Sequence, residues 1–216
     1  MELTKNMAAE FMKVSPQDIE AESFRIISDR LDEMGIVLPE KEAPIIKRVI
    51  HTTADFSFAE TLTISEGAID IARNLIENAA TIVTDTNMTL AGINKKRLEQ
   101  YGVRVKCFMS DEDVAREAKE RNVTRASVSV ERASLIGGPV IYSVGNAPTA
   151  LIELNELIIK GQMSPAFIIG VPVGFVNVEY SKELFRDSKI PHIINFGNKG
   201  GSNVAAAIIN AIVYGM

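Results

Sequence analysis

Val140-Ile141-Tyr142-Ser143-Val144-Gly145-Asn146-Ala147-Pro148-Thr149-Ala150 is the stretch that decides the fold. Its first five residues are β-branched or aromatic apart from one serine, the pattern of a strand buried on both faces. Gly145 permits a tight turn, and Pro148, with its fixed φ and no amide to satisfy, begins a helix that extends to about residue 160. A strand, a turn and a helix in that order form the repeating unit of a parallel α/β sheet. The alternation continues outward from this stretch. Residues 81–84 and 103–108 are β-rich runs upstream, and residues 166–169 and 192–195 are two more downstream. Helices are expected over 95–101, 111–121, 124–135, 181–187 and 202–212 between and after them. The expected fold is therefore α/β, a single domain over residues 1–216. Its sheet is mostly parallel and roughly five-stranded, flanked by helices, with residues 1–14 loosely ordered.

The first third of the chain is helical in pattern. Ser15-Pro16 opens a helix that carries Ile19, Phe24, Ile26, Ile27 and Leu31, and Gly35 stops it. A second helix runs from about residue 40 to His51, with Pro44 in its early turns, where a missing amide does least harm. Ser65 caps a third over 66–78.

His51, one of only two histidines, stands where the second helix gives way to Thr52-Thr53-Ala54-Asp55. An imidazole ionises near neutral pH and can give or take a proton there. Thr52, Thr53 and Asp55 offer it polar neighbours within local reach. The competing reading is a histidine that closes a helix C-terminus, where its positive charge meets the negative end of the dipole.

Composition removes several classes of function. A net charge of −5 argues against a nucleic-acid binder, which would carry a basic face. One cysteine, Cys107, excludes an internal disulfide and a cysteine-based zinc site, and it is expected to be a reduced core residue. His51 and His192 are not paired with carboxylates at any metal-ligand spacing, so no metal site is expected. Neither a signal segment nor an apolar run long enough to span a bilayer is evident, so a cytoplasmic protein without a membrane partner is expected.

In α/β sheets ligands bind outside the carboxyl ends of the strands, and the unusual residues of this chain cluster there. Asp85-Thr86-Asn87-Met88 follows the first of these strands, where Asp85 could orient a ligand or cap the following turn. Gly170-Val171-Pro172-Val173-Gly174-Phe175 is an apolar loop whose glycines let backbone approach a flat ligand. Gly197-Asn198-Lys199-Gly200-Gly201-Ser202 opens into the last helix and has the makings of an anion site, with backbone amides, a helix N-terminus and one cation. It lacks the spacing of a Walker motif or a dinucleotide fingerprint. Arg125 begins a helix and would project a planar fork suited to carboxylates, or simply stand in solvent.

Taken together, these blocks resemble the precorrin-8X methylmutase family, including its cobalt-precorrin-8 relatives. The resemblance rests on Glu22-Ser23-Phe24-Arg25-Ile26-Ile27, Arg48-Val49-Ile50-His51, Asp85-Thr86-Asn87-Met88 with Ala91-Gly92-Ile93, and Asn122-Val123-Thr124-Arg125. It continues through Gly145-Asn146-Ala147-Pro148-Thr149-Ala150-Leu151, Pro172-Val173-Gly174-Phe175-Val176 and Gly200-Gly201-Ser202, in order, over about residues 15–212. It implies an isomerase of cobalamin biosynthesis that moves a methyl group from C11 to C12 of a corrin precursor. No methyl donor or redox cofactor is implied, and cobalt enters only as part of the substrate. His51 matches the family's catalytic histidine, and Ser23 and Arg125 match substrate contacts. Asp85, Met88, Asn94, Gly174 and Gly201 complete the expected substrate-binding set, although Asn94 replaces a threonine of some members and Ala126 a serine. The resemblance also implies a homodimer with its site near the subunit interface. The alternative is a tetrapyrrole carrier on the same scaffold without turnover, a role that needs carboxylate contacts but no proton donor.

Overall fold

In the computed structural model of this protein, which describes Ser15 and residues 17–216, one six-stranded sheet lies between two layers of helices. The strands are β1 (Leu62–Ile64), β2 (Thr81–Thr84), β3 (Arg104–Lys106), β4 (Val140–Val144), β5 (Phe167–Gly170) and β6 (His192–Asn195), in the order β1-β6-β5-β4-β2-β3. All neighbouring pairs are parallel except β1 with β6, which is antiparallel. The sheet thus has one strand more than the sequence suggested. The extra strand, β1, is an edge strand of three residues, too short to show a period-2 pattern.

The central strands are buried at every position, as their apolar middles require, and that burial takes in the polar Thr81, Thr84, Ser143, His192 and Asn195 as well. Successive residues face opposite layers. Ile82, Ile141, Phe167, Ile169 and Ile193 pack beneath α1 (Ile19–Glu33), α2 (Ala43–Thr53), α4 (Ala68–Glu77) and α11 (Ser202–Tyr214). Val83, Tyr142, Val144, Ile168 and Ile194 face α8 (Arg125–Ser134), α9 (Pro148–Ile159) and α10 (Val178–Glu183). Short helices α3 (Phe58–Thr61), α5 (Asn87–Gly92), α6 (Lys95–Glu99) and α7 (Glu112–Glu120) complete the chain order.

Helix ends follow local chemistry. Gly35 ends α1 at φ +69, with its own amide donating to the Asp32 carbonyl and that of Ile36 to Leu31. This crossed pair satisfies the last carbonyls of the helix in the manner a left-handed glycine allows. At the start of α1 Asp18 makes no side-chain cap; Pro16 and the segment 1–14 expected to be loose lie outside the described residues. Helix α2 begins at Ala43 rather than residue 40 and continues two residues past His51. Cys107 is half-buried rather than a core residue, and that burial pushes its thiol up from its ordinary value.

Candidate functional site

The strand order reverses direction between β2 and β4, so the carboxyl ends of these two strands form the crevice in which an open α/β sheet ordinarily receives its ligand. Here that crevice is closed by Asp85. Its carboxylate accepts from the backbone amides of Gly145 (2.8 Å), Asn146 (2.8 Å) and Ala147 (2.7 Å), and the residue is 1% exposed. Burial pushes the carboxyl up from its ordinary value, against the pull of these donors. The sequence left Asp85 between orienting a ligand and orienting a turn, and the geometry engages it on the turn from β4 to α9. Gly145 is needed there because a Cβ would lie 2.8 Å from the Ser202 Cα at the start of α11.

The loop from β6 to α11 is organised in the same way, and two parts of the expected anion site, the Gly201 amide and the Lys199 ammonium, are engaged within the protein. The Gly201 amide donates to the Val171 carbonyl at 2.8 Å, so it is not free for an anion. Lys199 is paired with Asp55 at 2.6 Å and bonded to the Ser57 hydroxyl, and the Lys199 ammonium, with Ser57 second, holds the Asp55 carboxyl below its ordinary range. A Cβ on Gly200 would meet the Val171 carbonyl oxygen at 2.1 Å, so only glycine passes this point. Beneath the loop lies the buried Lys182, whose ammonium donates to the carbonyls of Gly197 (2.6 Å) and Lys199 (2.8 Å). Burial lowers its pKa to about 8.

Around this rigid rim stand exposed side chains with chemistry left to offer. Arg125 is exposed at the first turn of α8, which the Thr124 hydroxyl caps, and its guanidinium makes no ion pair among the described residues. Met88 is 70% exposed on α5. Gly174 turns the β5–α10 loop at φ +139, leaving Phe175 and Val176 almost wholly in solvent.

His51 lies elsewhere, in the last turn of α2, exposed beside α1. Its expected local partners are otherwise engaged. The Thr52 and Thr53 hydroxyls bond back to the carbonyls of Arg48 and Val49, and Asp55 faces Lys199. The ring instead stacks on Phe24 of α1, with centroids 5.2 Å apart and planes inclined by 22°. The Arg48 guanidinium lies 4.6 Å from the same phenyl centroid and is ion-paired with Glu20. Arg48 also lies over Tyr214, to whose hydroxyl the Asn94 amide donates at 3.3 Å. Asn94 in addition caps α6 through the Arg97 amide, so its side chain is occupied on both sides. Ser23 bonds back to the Ile19 carbonyl at 2.8 Å. The expected site residues therefore fall into two groups. One is the rim with Asp85, Met88, Arg125, Gly174 and Gly201; the other is the α1–α2 face with Ser23 and His51, joined to Asn94 through Tyr214. The Asp55–Lys199 pair ties the end of α2 to the rim.

The profile of the precorrin-8X methylmutase family matches residues 18–215. The chain belongs to this family. It is 43% identical to the cobalt-precorrin-8 methylmutase of Salmonella typhimurium, covering 92% of this chain and 95% of that protein. It is 40% identical to that of Priestia megaterium, over 93% and 88%. The crystallised precorrin-8X methylmutase of Thermus thermophilus superposes with a TM-score of 0.80 at 35% identity, covering 91% of this chain and 96% of that one. A methylmutase is an isomerase, moving a methyl group within one molecule, and this role in cobalamin biosynthesis extends to the present chain. No observation favours the non-catalytic carrier.

Within this methylmutase, sequence reasoning passed over Phe24, Arg48 and Lys182 as individual residues. Phe24 and Arg48 stood within the blocks that carry the family resemblance, without a role of their own. Lys182 sits in a mixed polar stretch, and its burial arises only from the packing of α10 beneath the loop from β6.

Proposed function

We propose that this methylmutase moves the methyl group of precorrin-8X, metal-free or bearing cobalt, from C11 to C12, with His51 as the proton donor. The observation that carries the proposal is the setting of His51: an exposed imidazole, held by a stack on Phe24, whose nitrogens have no hydrogen-bond partner among the described residues. Such a ring is free to protonate or hydrogen-bond a macrocycle laid against it. The rearrangement gains and loses no atoms. It asks the protein for one well-placed donor and a shaped, water-poor surface rather than for covalent chemistry.

The remaining roles follow from exposure and charge. Arg125 offers its fork to a carboxylate of the substrate, and Ser23, whose proton goes to the Ile19 carbonyl, offers a hydroxyl oxygen as acceptor one residue before Phe24. Met88 and the loop around Gly174 supply apolar surface to a flat ring. Asp85 and Gly201 hold the loops that carry these contacts, and Asn94 holds the far end of the α1–α2 face. One domain spanning the chain acts as half of a cytoplasmic homodimer. The exposed Ile19 and Ile26 flank Ser23 on α1, and Phe175 and Val176 stand in solvent, so a second copy would cover apolar surface next to both groups of site residues.

Mixing the protein with precorrin-8 in its metal-free and cobalt forms, and following the visible spectrum, tests this reading. Conversion of either form is the expected result and identifies the metal state used. A shifted but unconverted spectrum would overturn it in favour of a binder. Sedimentation at working concentration should give the mass of two chains. Arg125→Ala should weaken saturation binding by about tenfold or more, since a shielded charge-assisted contact contributes about 1.5–3 kcal/mol. Unchanged binding would leave Arg125 a surface residue.

A further inference from the structure

We infer that Phe24 is a positioning residue for this reaction, holding the His51 imidazole in its working orientation, with the Arg48–Glu20 ion pair fixing Phe24 in turn. The inference rests on the reading of His51 as the proton donor.

Phe24 is half-buried, yet it is absent from the side chains packed against the core; the contacts that dock α1 are made by Ile27 and Leu31. A phenyl ring on the buried side of an amphipathic helix ordinarily joins the core, and this one faces two polar groups on α2 instead. It carries the His51 ring at 5.2 Å and the Arg48 guanidinium at 4.6 Å. The spacing makes this a built arrangement. His51 and Arg48 are three residues apart on one face of α2, and Glu20 and Phe24 are four apart on one face of α1, so a single turn of each helix meets the other. Glu20 closes the set by pairing with Arg48, whose side chain is only 22% exposed. Stacked and edge-to-face aromatic geometries are preferred arrangements, and a cation over a ring face is attracted by its quadrupole.

The consequence for catalysis is orientational. An exposed histidine without a hydrogen-bond partner turns freely about its side-chain torsions, and a proton donor is effective only within hydrogen-bond reach of its acceptor. A ring lying against the imidazole removes that freedom without occupying either nitrogen. A hydrogen-bonding partner in the same place would occupy one of them. Misplacement of a reacting group lowers the rate rather than substrate affinity, because the contacts that bind the macrocycle remain.

Phe24→Leu and Phe24→Tyr test this, with His51→Ala as reference. Phe24→Leu should lower kcat about tenfold, equivalent to about 1.4 kcal/mol of transition-state stabilisation, while KM stays within about twofold. Phe24→Tyr, which keeps the ring, should restore kcat. The ring-proton NMR signals of the two histidines supply a readout that a merely structural role would not give. His51 should lose the ring-current shift of Phe24 in Phe24→Leu and regain it in Phe24→Tyr. His192, buried in β6 with its Nδ1 on the Ile190 carbonyl, should stay in place and report an intact sheet. Wild-type kcat in Phe24→Leu, beside an inactive His51→Ala, would overturn the positioning role and leave the donor assignment standing. Movement of both histidine signals in Phe24→Leu would make the effect structural and overturn it as well. Full turnover in His51→Ala would remove the donor assignment, and the positioning role with it.

Discussion

The rim of the sheet and the face shared by α1 and α2 are built on opposite plans. At the rim, charged side chains are buried and bonded to backbone: Asp85 to three amides of the β4–α9 turn, Lys182 to two carbonyls of the β6–α11 loop. On the helical face the polar side chains are exposed or half-buried and held by one another: His51 on Phe24, Arg48 on Phe24 and Glu20. Buried charge bonded to backbone stabilises a loop and has no capacity left for a substrate. An exposed side chain held by stacking, as His51 is, contributes little to stability and keeps its ring nitrogens free. A strand-end acid or a helix-start glycine is therefore weak evidence for ligand contact until its partners are known.

The sharpest contrast should come from the two residues that typify these plans. His51→Ala should lower turnover by about 100- to 10,000-fold, the usual worth of general acid catalysis, with thermal stability unchanged because the side chain is exposed. Steady-state conversion together with a melting curve checks both halves. A variant with near-normal turnover would break the comparison at its functional end. Asp85→Asn should do the reverse. Its amide oxygen can replace one carboxylate oxygen, but its amide nitrogen would set a donor against a backbone N–H, so at least one buried bond is lost. The expected cost is about 3 kcal/mol, seen as a fall in Tm of about 6–12 °C for a chain of this size. An unchanged Tm would mean that the turn does not depend on its carboxylate.

Lys182 sharpens the rim side through pH. Burial depresses its pKa to about 8 from an ordinary 10.5, so between these values the unfolded chain binds more protons at this site than the folded one. Stability from this group therefore rises with pH through that window, and falls as pH drops toward 8, by at most about 1.4 kcal/mol per pH unit. The stability of wild type minus that of Lys182→Met, from urea unfolding at pH 7.5 to 10.5, should rise as pH increases. A flat difference would show that the ammonium is solvated. The smallest effect belongs to the link between the two regions. Lys199→Ala removes a surface pair with Asp55, and the side chains are 56% and 31% exposed, so the loss should stay below about 1 kcal/mol and shrink further in high salt. A larger loss would mean that this tie holds α2 against the rim.

Sequence alone determined the class of fold, because burial on both faces writes adjacent apolar, mostly β-branched residues into the middle of each central strand. The segments Thr81–Thr84, Val140–Val144 and His192–Asn195 form as the residues predict. It also determined the family, through residues spread over the whole chain, and it singled out His51. The edge strand Leu62–Ile64 was not legible, since three residues carry no period and their only strand partner is the distant β6. Partnership was not legible either. Asp85, Lys199 and Gly201 have the residue types of a binding site, but their partners lie 60, 144 and 30 positions away, at Gly145, Asp55 and Val171. The stack of His51 on Phe24 joins residues 27 positions apart on two separate helices. Local sequence sets which conformation a segment prefers, because neighbouring residues share backbone and side-chain sterics. Which polar group ends against which is decided by the packing of elements distant in the chain, and only the tertiary structure brings those groups within bonding distance.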